Sequence, residues 1–151
     1  MFTHRYKRIL TDGRGFSLAE VLVAIGIFAI LAAIAIPQFV AFRPRNRLNG
    51  ATRQIYSQLM WARSKAVTEN GSYAITFPTN QTMLITDLTT GSTTRTINIQ
   101  SEYTDVTLSS TASTITFSSR GTSDVAPTIT LTNSGGTKTL ALKITGSATI
   151  S

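Results

Sequence analysis

Glu20 is the one ionisable side chain between Arg14 and Arg43. A carboxylate embedded in apolar sequence is costly in hydrocarbon unless it is paired or close to the interface, so the chemistry it offers is charge pairing. Ser17-Leu18-Ala19-Glu20 also has capping-box spacing, and a Glu near a helix N-terminus suits the macrodipole. Nucleophilic catalysis has little to draw on. There is no cysteine, and the single histidine, His4, lies in a short basic N-terminal stretch. If that stretch is removed, Ser-His and Cys-His catalysis and His- or Cys-ligated zinc are excluded. Beyond Glu69 the acidic residues are Asp87, Glu102, Asp105 and Asp124. Glu102 and Asp105 could offer oxygens to calcium, but no EF-hand spacing accompanies them, and they read as solvated loop charge. No cofactor, metal site or catalytic residue is expected, and the chain does not read as an enzyme.

The element around Glu20 is a long apolar run. Val21 to Ile36 has no polar side chain, and Phe16 to Phe42 is interrupted only by Ser17, Glu20 and Gln38, with Pro37 near its end. That is long enough to span a bilayer as a helix. A secretory signal peptide fits poorly, because apolar residues continue past Ala33-Ile34-Ala35, where an Ala-x-Ala-like site would end them. Pro37 removes a helix hydrogen bond and marks a bend or local melting point. Gly26 and the alanines at 32, 33 and 35 permit close helix approach. The 151 residues carry 14 Lys plus Arg and 7 Asp plus Glu, a formal charge of +7. Much of the excess is local: Arg5, Lys7, Arg8 and Arg14 precede the apolar run, and Arg43, Arg45 and Arg47 follow it. This is membrane-flanking charge rather than a nucleic-acid footprint, and it leans slightly toward a cytoplasmic N-terminus.

From Asn46 to Asn70 the pattern turns amphipathic. Leu48, Ala51, Ile55, Leu59, Ala62 and Ala66 fall within roughly an 80° arc at about 100° per residue. Asn70-Gly71 is a stop signal, with Gly71 the expected left-handed residue. A helix from Phe16 to about Glu69 would be about 80 Å long at about 1.5 Å per residue. Gly50 and Arg43-Pro44-Arg45 weaken it and mark a candidate break near Pro44. From Tyr73 onward the period changes to two, at Tyr73/Ile75/Phe77, Ile97/Ile99, Ile115/Phe117, Ile129/Leu131 and Leu140/Leu142/Ile144. Pro78 to Asn80, Gly91, Gly121 and Pro127 act as breakers, and Asn133-Ser134-Gly135-Gly136 reads as a hairpin loop. The expected fold class is α+β, a long N-terminal helix whose stripe packs on an antiparallel β-sheet head.

Gly15-Phe16-Ser17-Leu18-Ala19-Glu20-Val21-Leu22-Val23-Ala24-Ile25 resembles the prepilin-type cleavage and methylation signal of type IV pilins and type II secretion pseudopilins. Ala62-Arg63-Ser64-Lys65-Ala66-Val67 resembles the Ala-Arg-Ser-x-Ala element of the GspH/FimT kind of minor pseudopilin and pilin, and Phe117–Gly121 and Gly146 fit that outline. The resemblance implies a leader at 1–15, a transmembrane and filament-core helix at 16–42, its amphipathic continuation at 43–71 and a β-rich head at 72–151. Prepilin peptidase would cut between Gly15 and Phe16 and methylate the new amine of Phe16. Glu20 would pair with that ammonium on a neighbouring subunit, Pro37 would bend the helix, and Arg63 is a candidate subunit contact or a packed stem with a solvated head.

The resemblance also implies a bacterial inner-membrane protein, single-pass, with its N-terminus cytoplasmic and its head outside, which later joins a filament. Its partners would be membrane lipid, the peptidase, an inner-membrane assembly platform and other pilins or pseudopilins. A minor subunit of a type II secretion pseudopilus or type IV pilus is the reading that follows. The alternatives are a major pilin, or a pilus-tip subunit that captures DNA. Gly146-Ser147-Ala148-Thr149-Ile150 has no Arg, which argues against the last and against nucleic acid as a partner.

Overall fold

The computed structural model describes residues 15–151. The expected leader, with His4 and its basic residues, lies outside them apart from Gly15. The chain divides into two compact units, the first ending at Gln38 and the second running Phe39–Ser151.

One helix, α1 (Leu18–Thr68), contributes to both units. In the first unit its large apolar side chains are exposed, Phe28 by 72% and Ile30 by 65%. Only another apolar phase, lipid or protein, would remove that cost.

In the second unit α1 continues through Gly50 and without the candidate break near Pro44, as the expected single helix requires. Two features outweigh the local penalties. All six stripe residues from Leu48 to Ala66 are buried. Leu48, Ile55 and Leu59 alone are worth about 1.5–3 kcal/mol each, against about 3 kcal/mol for a mid-helix proline and about 1 for a glycine. The helix is also braced beside Pro44, where the Asn133 side-chain amide donates to the Pro44 carbonyl at 2.7 Å. Gly50 has its own reason: a Cβ there would lie 2.7 Å from the Tyr103 ring, which packs on the helix backbone.

Helix α1 ends in a Schellman motif. Gly71 N donates to Ala66 O at 3.0 Å and Asn70 N to Val67 O at 3.4 Å. The left-handed residue is Asn70, at φ 49°, and not Gly71 as expected. Asn tolerates that conformation, so the pair Asn70-Gly71 stops the helix one residue earlier than a glycine-based reading places it.

The head holds two antiparallel four-stranded sheets rather than one. The first has the order β3 (Ser92–Asn98), β2 (Thr82–Asp87), β1 (Tyr73–Thr79), β5 (Thr114–Phe117). The second has the order β4 (Thr107–Ser110), β6 (Thr128–Asn133), β7 (Gly136–Leu142), β8 (Ala148–Ile150). Their inner residues, among them Ile75, Ile85, Phe117, Ile129, Leu131 and Leu140, join the helix stripe in one apolar core.

Several expectations change in detail. Pro78 lies within β1, where the register with β2 shifts between Thr76 and Thr79; an irregular position accepts a residue without an N–H. Ile99 is buried as expected but sits in a short 3-10 helix, Ile99–Ser101, capped by Asn98. Ile144 is 61% exposed, because β7 ends at Leu142 and the chain turns through Gly146 at φ 78°. The hairpin of Asn133 to Gly136 joins β6 to β7 as expected, with Asn133 opposite Gly136.

Candidate functional site

The first candidate site is the start of α1. Gly15, Phe16 and Ser17 precede the helix in non-helical conformation, and Phe16 is 84% exposed. Ser17 is the N-cap: its Oγ accepts from Glu20 N at 3.2 Å, one half of the capping box. Glu20 is exposed in the first turn of α1. A Cβ placed on Gly15 would meet nothing within 4 Å, and the same holds for Gly26. Neither glycine is demanded by packing within the described chain. Pro37 lies inside α1, which continues beyond it.

The second candidate site surrounds Arg63, which α1 presents beside the buried Ala62 and Ala66. Its Nε donates to Gly121 O at 2.8 Å, and its Nη2 to Thr145 O at 3.2 Å. One guanidinium therefore ties the helix to two separate loops, one following β5 and one following β7. Both loops turn on glycines with positive φ, Gly121 at 74° and Gly146 at 78°. A Cβ on Gly146 would lie 2.0 Å from Gly121 O and 2.6 Å from Arg63 Nε. The three residues singled out along the sequence thus meet at one point, where two left-handed glycines let two loops close on one arginine. The donors named here go to Arg63's own head.

The carboxylates of the head are also engaged internally. Asp105 pairs with Arg47 at 3.4 Å and accepts from Asn133 Nδ2 at 3.1 Å. Glu102 accepts from Gln54 at 3.3 Å. Asp124 accepts from Thr116 N at 2.8 Å, closing the loop after β5. The Asp87 carboxyl lies below its ordinary pKa because the Thr89 backbone N–H, and then the Thr90 and Thr89 side chains, bind it in the β2–β3 turn.

An aromatic cluster holds the other flank of α1. The Arg95 guanidinium of the exposed strand β3 stacks over Trp61 at 4.0 Å and donates to Gln58 at 3.1 Å. Trp61 meets Tyr73 edge-to-face at 6.3 Å. Glu69 accepts from the Tyr73 hydroxyl and from Lys65, the latter at 2.6 Å. Sequence reasoning missed this cluster. The signal available was a lone tryptophan at the margin of the stripe.

The comparisons agree with this architecture. Residues 51–148 match the family model described as type II transport protein GspH. Residues 12–36 match the model described as the prokaryotic N-terminal methylation motif, a span that includes Gly15, Phe16 and Glu20. A 47-residue segment is 43% identical to the type IV major pilin protein PilA of Myxococcus xanthus, covering 31% of this chain. The chain spans about a fifth of the length of that relative, 21%. Among solved structures, the type IV minor pilin FimU of Pseudomonas aeruginosa aligns with a TM-score of 0.61 at 21% identity, covering 73% of this chain and 92% of that one. The minor pseudopilin EpsH of the Vibrio cholerae type 2 secretion system aligns with a TM-score of 0.58 at 10% identity, covering 70% of this chain and 96% of that one. These two likenesses concern the fold: a long N-terminal helix with antiparallel sheets. With most of the head inside the first family model and the start of α1 inside the second, the chain belongs to the GspH family of type II transport proteins and is a non-enzymatic, pilin-like structural subunit.

Proposed function

We propose that the chain is a minor pilin or pseudopilin, cut between Gly15 and Phe16 by prepilin peptidase and methylated on the amine of Phe16. It then waits in the inner membrane as a single-pass protein, N-terminus cytoplasmic and head outside, until an assembly platform moves it into a pseudopilus or type IV pilus. The observation that carries this reading is the methylation-motif match over residues 12–36, whose part from Leu18 onward lies on a helix with exposed apolar residues. Gly15 is compatible with it: among the described residues, nothing within 4 Å of a Cβ there calls for a glycine.

Glu20 gives the mechanism. The proposed cut leaves an ammonium at Phe16, four residues before Glu20. A neighbouring subunit's ammonium, drawn alongside as helices slide, would find one carboxylate on an otherwise uncharged run. Opposite charges about 4 Å apart attract by about 4 kcal/mol at an effective dielectric near 20, enough to select one axial register. The exposed small residue Gly26 leaves room for a neighbouring helix.

The test is Glu20→Gln in the producing cell. Membrane levels and head stability should match wild type, while recovery in sheared filaments falls about tenfold or more, the factor a loss of about 1.4 kcal/mol would give. Normal incorporation of Glu20→Gln would overturn the register mechanism.

A further inference from the structure

We propose that the head carries a binding site for the phosphodiester headgroup of an anionic phospholipid, formed by Arg45 and Lys138 where α1 meets the β6–β7 hairpin. A cavity of about 250 Å³ lies there, lined by Arg45, Leu48 and Asn49 from the helix and by Gly135, Thr137 and Lys138 from the hairpin.

The hairpin is built onto the helix rather than resting near it. Asn133 Nδ2 donates to Pro44 O at 2.7 Å, while its Oδ1 accepts from Gly135 N at 2.8 Å and so shapes the turn. At Gly135 the backbone approaches so closely that a Cβ would lie 2.7 Å from Arg45 N and 2.9 Å from the Pro44 carbonyl carbon. A two-residue hairpin loop alone does not require this contact. It brings a cation from β7 and a cation from α1 to the same opening.

Charge bookkeeping separates these cations from their neighbours. Arg47 is paired with Asp105, whereas among the described residues no carboxylate lies within ion-pair distance of Arg45 or Lys138. Two unpaired cations beside the polar Asn49 and Thr137 side chains suit a phosphate with two free oxygens.

Position along the chain favours a lipid source. The stretch from Val21 to Phe42 amounts to about 33 Å of helix at about 1.5 Å per residue, close to the roughly 30 Å hydrocarbon core. Arg45 follows Phe42 by three residues, or about 4.5 Å of helix, which falls in the headgroup layer. This inference rests on residues 16–42 being the membrane segment.

Native mass spectrometry of the full chain, released from neutral detergent with dioleoyl phosphatidylglycerol or phosphatidylcholine, tests it. Wild type should retain phosphatidylglycerol adducts in preference to phosphatidylcholine. Arg45→Gln with Lys138→Gln should retain them at least fivefold less. Arg53→Gln with Lys143→Gln removes the same charge outside the cavity and should retain them as wild type does. Unchanged Trp61 fluorescence checks that each variant is folded. Equal losses from both pairs, or none from the cavity pair, would overturn the site. Inorganic phosphate that displaces phosphatidylglycerol at equal concentration would overturn the lipid assignment in favour of the free anion. A chain absent from the membrane fraction would instead defeat the membrane reading beneath it.

Discussion

Arg63 joins three segments: α1, the loop after β5 and the loop after β7. Its two carbonyl partners lie 58 and 82 residues along the chain, which makes it a fastener of tertiary structure. Hydrogen bonds from a charged group are the stronger kind, and the site is only half-buried, so Arg63→Ala should destabilise the head by about 2 kcal/mol in urea unfolding. Arg63→Lys should recover less than half, because a single ammonium cannot reproduce the fork that reaches both carbonyls. If Arg63→Ala were as stable as wild type and failed only in assembly, the residue would belong to a subunit contact instead. On the other flank of α1, Tyr73 provides a pH signature. Its hydroxyl donates to Glu69, and that bond, with burial and the adjacent negative charge, raises its pKa from 10.0 to about 12. The protonated phenol is the bonded form. Its contribution is therefore complete below pH 10 and is lost as pH rises toward 12. The stability advantage of wild type over Tyr73→Phe should fade across that window. Glu69 runs the other way: Lys65, and then Tyr73, hold its pKa below 4.5, so its share is present above 4.5 and fades as the medium becomes more acidic. Urea midpoints measured against pH for both proteins check both signs.

Helix α1 shows which elements could be read in advance. The stripe from Leu48 to Ala66 was legible because helical period and burial coincide, and all six residues are in the core. Leu59→Ala should accordingly cost about 2–5 kcal/mol in urea unfolding, a cavity-forming change at a fully buried position. Strands β4 and β8 escaped notice because they are short and offer few apolar residues to mark alternation, whereas in β2 the unbroken run Met83-Leu84-Ile85 hides the alternation of its buried Met83 and Ile85. Ile144 misled for the opposite reason: its spacing continues that of Leu140 and Leu142, but the strand has already ended. The Arg63 site was half legible. Arg63, Gly121 and Gly146 stood out by residue type, whereas their meeting runs through backbone carbonyls, which every residue carries. The brace at Pro44 was hidden likewise. Gly135→Ala tests it: the added methyl must displace the hairpin from α1, lowering stability by about 1–3 kcal/mol. Hydrogen exchange at Gly135 and Gly136 should quicken by more than at Ile75, in the other sheet.

The whole molecule combines a head with a closely packed apolar core and a helical segment whose apolar side chains stay uncovered. A chain that ended its career as a monomer in water would leave Phe28, Ile30 and Ile34 exposed at continuing cost. In the proposed function, lipid first and neighbouring pilins afterwards would remove that cost in turn, and the Glu20 carboxylate at the helix start would set the register between them. This account depends on where the mature chain begins. Intact-mass and N-terminal fragment measurement of the protein purified from its native membrane decides that directly. The account predicts a chain starting at Phe16 whose amine is one methyl group heavier than a free amine. A mature protein still beginning at Met1, or beginning beyond the apolar run, would contradict it.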